Sequence, residues 1–336
     1  MTRQIEDYLD NLVDDKRVVS ELHKTLVNGA LNSSEVSDES ELDNWFEKRF
    51  LPNSTVLVEN DYATALIRAL WLAPKLASID FVGGRLRDFA QLWSDTARGF
   101  LGEIAVQKFL FEKFGFKMRI DTRRGQVEEF MPSDISVFNE DGSYRAAKIN
   151  VSIKTGKFNS RWLEVPESQF NQSDVFVFVK LGISRYHFSS YLKEMGTIKR
   201  MFEIGKELKE LDDSQIERLS GEIPNWTRIP AYISGFVNKQ MIKLPIHSLE
   251  HKEKRRRLAG VSRSDSPISE ISIESGIGIF SNDSIENWPS IAGLSNLSDV
   301  PFIIAGIGKE VDGKFYASTG SLEHEQPAWQ QLVNCL

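Results

Sequence analysis

The sequence predicts a mixed α/β (α+β) fold: a mixed β-sheet flanked by helices, with a helical N-terminal subdomain. Three observations carry this expectation. Apolar residues recur at helical spacing through residues 1 to about 80 and again in DFAQLWSDTARGFLGEIAVQKFLFEKFGF, which ends at Gly115. Two short stretches, MPSDISVF and YRAAKINVSIKTG, flank the turn residues NEDGS and read as a hairpin. DVFVFVKLGI is a near-continuous run of β-branched and aromatic residues, the pattern of a strand covered on both faces.

Taken in order, IEDYLDNLVDD and ATALIRALWLA are helices, and the polar NSSEVSDESELDN between them is a loop with a helix cap. The long helical pattern before Gly115 follows, then the two strands of the hairpin. A connection containing Pro166 leads to the buried strand, and Pro166–Glu167 suits a helix start, because proline has no amide to lose there and the acid meets the positive end of the helix dipole. HFSSYLKEMGTIKRMFEIGKEL returns to helix, while IPAYISGFV and VPFIIAGIGKEV are further strands. Between them, HKEKRRR (251–257) and the serine-rich SRSDSPISEISIES form a long exposed loop, and PAWQQLVNCL is a short docked helix. The expected division is 1–80 for the helical subdomain, 81–250 for the core and 251–336 for an extension with a basic loop and extra strands.

The composition, 41% hydrophobic over 336 residues, supports a sizeable core. No apolar run approaches the roughly 20 residues that span a bilayer, and the acidic N-terminus lacks the order of a secretory signal. One cysteine, Cys335, rules out an intrachain disulfide and a Cys-rich zinc site. A cytoplasmic, non-membrane protein is expected. The net charge of −7 speaks against indiscriminate nucleic-acid binding, yet residues 1–60 hold 13 Asp or Glu against 6 Lys or Arg and account for all of it. A local basic surface elsewhere stays open.

Chemistry gathers in the middle of the chain. Ile149, Val151 and Ile153 alternate with Asn150, Ser152 and Lys154, so a strand would set the first three on a core and the others on the opposite surface. Glu103 has Gly99, Phe100, Val106 and Leu110 as helical neighbours, which is not a solvated face, and Gly99 and Gly102 would let that face approach another backbone. Asp134 stands at a strand start, and Glu164 and Glu167 follow Lys154 in WLEVPESQF. Each has an ordinary structural explanation: a helix surface, a strand edge, a cap. Together they fit phosphodiester hydrolysis, in which carboxylates hold one or two Mg²⁺ ions and an ammonium orients water and offsets charge on phosphorus.

The order helix Glu, Pro132–Ser133–Asp134, then Ser152–Ile153–Lys154 at a strand end resembles the PD-(D/E)xK nuclease superfamily, especially its type II restriction endonucleases. The resemblance covers roughly residues 95–200. It implies a restriction-endonuclease-like fold, Mg²⁺ as cofactor, double-stranded DNA as substrate, a homodimer and a prokaryotic restriction system. Carried over, Asp134 is the principal metal ligand, Lys154 the catalytic lysine and Glu103 an auxiliary carboxylate. Two departures stand out: one extra residue lies between Pro132 and Asp134, and Ser152 replaces the acid two before the lysine. A branch reading CCGG or CCNGG cores shows the same Ser-x-Lys with a Glu displaced to the next helix, which points to Glu167 as the third ligand and Glu164 as its alternative. That branch's base-reading Arg-acid-Arg cluster is represented here only by Lys157 and Arg161.

Lys157, Arg161 and Arg185, with His187, are candidate DNA contacts. HKEKRRR would neutralise phosphates or be a solvated loop. HSLEH (247–251) matches a zinc-peptidase pattern, but Pro245 and the basic run crowd the helix it needs. GIGIF and GIGKE lack the phosphate-loop spacing and read as strand ends. The alternatives to a restriction enzyme are a non-catalytic DNA-binding protein with a decayed nuclease fold, and a repair or RNA-processing nuclease.

Overall fold

The computed structural model describes residues 3–82, 88–120, 133–139, 141–239, 271–273, 275–279, 302–304, 306–307 and 313–336. HSLEH, HKEKRRR and Pro132 lie outside the described residues.

The chain opens with α1 (Arg3–Asp10) and α2 (Lys16–Leu31), the latter capped by the Asp15 carboxylate on the Arg17 amide. α3 (Leu42–Trp45) runs on into a π-helical turn, Phe46–Phe50, where Phe46 and Phe50 stack at 5.1 Å. Residues Ser54–Leu57, in the stretch expected to be helical, form strand β1 instead. Its buried Thr55 and Leu57 alternate with half-buried neighbours, and four residues are too few to stand out beside the long helical patterns. α4 (Glu59–Val82) and α5 (Phe89–Phe114) follow. The Asp88 carboxylate accepts from the Gln91 amide at 2.8 Å to start α5. Gly115, at φ +63°, ends it by letting the amides of Gly115 and Phe116 turn back to Phe111 and Leu110.

Next come β2 (Met118–Ile120), β3 (Ile135–Phe138), β4 (Tyr144–Ala146), β5 (Val151–Lys157) and β6 (Trp162–Pro166). The expected single strand over YRAAKINVSIKTG is therefore two. β4 pairs with β3 as the hairpin partner, while β5 leaves that sheet and runs parallel to another strand. The break falls at 147–150, where the Lys148 amide donates to the Leu336 carbonyl and the Asn150 amide to Asp174 Oδ2, so outside partners replace the hairpin ladder. β6 also departs from expectation, since WLEVP was read as a connection. It supplies an edge partner to a later strand.

α6 (Glu167–Gln172) begins straight after Pro166, and β7 (Val175–Leu181) is buried along its whole length. α7 (His187–Glu194) and α8 (Thr197–Glu207) divide at Gly196, φ +75°, and α9 (Asp213–Glu222) opens with a capping box from Asp212 to Gln215. β8 (Ile229–Asn238), β9 (Ile271–Ile273), β10 (Ile277–Ile279), β11 (Phe302–Ile304), β12 (Lys314–Ser318) and α10 (Gln326–Cys335) complete the order.

The main sheet is mixed, ordered β1-β8-β7-β5, with β5 and β7 parallel and the other pairs antiparallel. One face packs Val151, Ile153, Val175, Val177 and Val179 against α4 and α5 through Ala65, Ala69, Leu101, Ile104 and Ala105. The other face meets the antiparallel β10-β12-β6 layer, so that Phe176, Phe178 and Val237 bury against Leu163, Val165, Phe170 and Phe315. α1 to α3 form a third apolar cluster, which closes over Phe158 and Tyr232 of the central region. Burying each large apolar side chain contributes roughly 1.5–3 kcal/mol, so the three clusters dominate the favourable side of folding.

Candidate active site

β5 is an edge strand, and its free edge needs hydrogen-bond partners. Ser133 and Asp134 provide them. The Asp134 amide donates to the Val151 carbonyl at 2.9 Å, Ser133 Oγ accepts from the Val151 amide at 3.1 Å, and Asp134 Oδ2 accepts from the Ile153 amide at 2.6 Å. The Asp134 carboxylate is thereby held one residue from Lys154. The two residues meet across the bent ribbon rather than across a regular hairpin.

α5 approaches the same strand from the core side. A Cβ at Gly102 would collide with Thr155 Oγ1 and Cβ, so the glycine permits the close crossing expected for that face. Gly99 differs: nothing lies within 4 Å of where its Cβ would be, and it makes no such approach. The crossing brings Glu103, half-buried, toward Lys154. Burial pulls the Lys154 ammonium below its ordinary range, and the negative charges of Asp134 and Glu103 oppose that fall. Ser152 is buried, at 7% exposure, and Lys154 is half-buried, so this face is not a solvated strand surface.

The structure thus brings together Asp134, Lys154 and Glu103, with Ser152 between the strand's core residues. Glu167 and Glu164 are not among the charges that act on Lys154. Among the described residues, the charges acting on Lys154 are those of Asp134 and Glu103. Glu164, on β6, is taken by Lys314 Nζ at 2.6 Å, and Glu167 stands exposed beside Gly313 at the start of α6. β6 and α6 belong to the layer that packs on Phe176 and Phe178, and there β12 supplies Lys314 as the partner of Glu164. Among the described residues, no group of three or more His, Cys, Asp or Glu gathers to hold a metal. Two carboxylates facing one ammonium still fit Mg²⁺, which binds through one or two carboxylates and keeps several waters.

Of the residues read as DNA contacts, Lys157 is exposed at the end of β5 and Arg161 is half-buried. Arg185 is held by Glu21, with its amide and Nε donating to the carboxylate at 3.0 and 3.1 Å. His187 is buried and accepts from the Ser184 amide at 3.1 Å, so it is a packing residue.

Sequence reasoning missed two groups. Arg68, on α4, interacts with Glu103 and with Arg119 of β2. Its signal was a lone arginine inside the apolar ATALIRALWLA. The second group is Glu35, which accepts hydrogen bonds from Lys180 Nζ at 2.6 Å, Tyr232 Oη at 2.7 Å, Trp45 Nε1 at 3.0 Å and Thr319 Oγ1 at 2.5 Å. Arg49 Nε lies 3.8 Å away. Here the signal was Lys180 itself, a charge within an otherwise apolar strand. With the Glu35 side chain at 0% exposure, the cluster has no room for a substrate and serves the fold.

No family model, curated protein or solved structure matches the chain. Among the described residues, no helix is long and apolar enough to cross a membrane.

Proposed function

We propose that this protein is a Mg²⁺-dependent endonuclease that hydrolyses phosphodiester bonds of double-stranded DNA at a specific site, in the manner of type II restriction enzymes. The observation that carries the reading is the half-buried Lys154 flanked by the Asp134 and Glu103 carboxylates at the edge of a mixed sheet. A homodimer acting on palindromic DNA, in a prokaryotic cytoplasm, belongs to the same reading through the PD-(D/E)xK resemblance.

Asp134 and Glu103 are the residues that would hold the cation. When bound, it supplies Lewis-acid polarisation of a phosphate oxygen and acidifies water. Lys154 does the rest of the local work. Burial loosens the hold of its amine on the proton, and the adjacent carboxylates oppose that fall. It can orient the attacking water by hydrogen bonding and offset the charge growing on the phosphate. The water oxygen bonds to phosphorus as the bond to the leaving sugar oxygen breaks, and no covalent enzyme intermediate forms. The Ile153 amide fixes Asp134 Oδ2, so the carboxylate is oriented before substrate arrives.

The buried Ser152, in place of an acid, favours a second reading: a DNA-binding protein with a decayed nuclease fold. Incubating the protein with phage DNA and Mg²⁺, beside a folded Lys154→Ala variant, separates the two. Discrete bands from the wild type and none from the variant are expected. Duplex binding without cleavage by either protein would give the non-catalytic reading the field.

A further inference from the structure

We propose that the outer face of the β2-β3-β4 sheet binds the sugar–phosphate backbone of double-stranded DNA and leads it toward Asp134. The proposal rests on the DNA reading for the identity of the ligand and adds the surface that holds it. The sheet is antiparallel, with Arg119 opposite Ser136, Ser136 opposite Ala146 and Phe138 opposite Tyr144. The Phe138 amide extends the pairing by donating to the Lys117 carbonyl at 3.1 Å. One face is core, since Met118, Ile120, Ile135 and Val137 are buried in the cluster beneath the main sheet. On the other, Lys117, Arg119 and Tyr144 are exposed, and Ser136 and Phe138 are half-buried. Lys117 Nζ lies 5.5 Å from the Phe138 ring centre, and the Arg119 guanidinium lies 5.5 Å from that of Tyr144. The two rings meet edge to face at 5.2 Å. Two cations and two rings thus make one patch on the open side of a sheet.

Charge and continuity decide the occupant. No acid stands among the residues of this face, which are Lys117, Arg119, Ser136, Phe138, Tyr144 and Ala146. Asp141, in the turn between β3 and β4, accepts from the Ser143 amide at 2.8 Å and the Ser143 hydroxyl at 2.6 Å. A ring holds a cation in place without neutralising it, so the patch keeps two positive charges for a polyanion. Continuity points the same way. β3 begins at the residue after Asp134, and Phe138 follows Asp134 by four residues, roughly 14 Å of strand. That is less than half of the roughly 34 Å turn of a duplex. Arg119 also interacts with Arg68, and Arg68 with Glu103, which ties the patch to the second carboxylate of the site. Lys117 and Arg119 take phosphates, and the rings of Phe138 and Tyr144 pack on the sugars between them. Such contacts position a duplex without reading its sequence.

The test uses the full chain and a short fluorescent duplex in buffer without divalent cations. The double variant Lys117→Gln/Arg119→Gln should bind about tenfold more weakly than wild type, with the log-affinity against log-salt slope reduced by about two. Tyr144→Ala should weaken binding and leave the slope unchanged. Lys199→Gln, an equal loss of charge on α8, should change neither. All four side chains are exposed, so every variant should melt as the wild type does. If the double variant melts early, each single variant should still lower the slope by about one. Unchanged affinity and slope in the double variant, or an equal loss in Lys199→Gln, overturns the face, and Lys154-dependent cleavage would then still stand. A wild type that binds only single strands, or no DNA, overturns it as well. Wild type that binds duplex through Lys117 and Arg119, yet cuts none when Mg²⁺ is added, supports the face and removes the catalytic reading.

Discussion

At the scale of the residue, the charges around Lys154 make a sharp division among four carboxylates. Asp134 and Glu103 act on the lysine, while Glu164 is spent on Lys314 and Glu167 faces solvent. Asp134→Ala and Glu103→Ala should each lower the cleavage rate by about a hundredfold or more, the scale of losing one group that meets developing charge. Glu164→Ala and Glu167→Ala should cut at near the wild-type rate. Rates on one plasmid substrate under fixed Mg²⁺ check this, and a dead Glu167→Ala would restore the displaced glutamate to the site.

Another residue ties stability to pH. Burial drives His187 down from its ordinary 6.5 to about 4, and the Ser184 amide donating to Nδ1 requires that nitrogen to stay unprotonated. In the unfolded chain the imidazole takes a proton at higher pH than in the folded one. The stability it contributes is therefore full above about 6.5 and is lost as pH falls toward about 4, on the order of 3 kcal/mol in all. Denaturant unfolding at pH 7, 5.5 and 4.5 should show this slope, and His187→Gln should flatten it.

At the scale of the element, the approach of α5 to β5 depends on a missing side chain. Gly102→Ala would drive a methyl into Thr155 Oγ1 and Cβ, and overpacking of this kind costs about 1–3 kcal/mol. The same shift would carry Glu103 away from Lys154. Gly102→Ala should therefore lower both the melting temperature and the cleavage rate, whereas Gly99→Ala, with open space at its Cβ, should lower neither. A Gly102→Ala protein with native melting temperature and rate would mean that the crossing tolerates a side chain.

At the scale of the whole molecule, Glu35 joins the N-terminal helices to the sheet. Burial alone would raise its carboxyl, but the charges of Lys180 and Arg49, with hydrogen bonds from Lys180 and Thr319, prevail and hold it at about 2. Its stabilisation is present above the ordinary 4.5 and lost as pH falls toward about 2, below the window in which His187 acts. Glu35→Gln would leave Lys180 and Arg49 buried without their counter-charge and should cost about 3–5 kcal/mol. Since β1, the Phe50–Tyr232 ring contact at 5.0 Å and this cluster all cross from the first 60 residues into the central sheet, the chain should unfold in one transition. Coincident melts by circular dichroism and tryptophan fluorescence check that; separate melting of the N-terminal helices would contradict it.

Much of this architecture was legible in local pattern, because its causes are local. The helix from Phe89 to Phe114 declares itself through Asp88, its apolar stripe and Gly115, and β7 through an unbroken apolar run that needs cover on both faces. The residue types near Lys154 were legible for the same reason, as a polar set on an otherwise apolar strand. The sequence by itself determined those elements, the mixed α/β class and the pairing of an aspartate with a lysine. Only the tertiary structure decided which carboxylates reach Lys154. That depends on the break at 147–150, which moves β5 into another sheet, and on the pairing of β6 with β12, which sets Lys314 on Glu164, both set by distant partners such as Leu336, Asp174 and β12. Glu35 reaches Lys180, Tyr232 and Thr319, and Arg68 reaches Glu103, for the same physical reason: buried charges find their partners through packing, and packing joins residues that no sequence period connects.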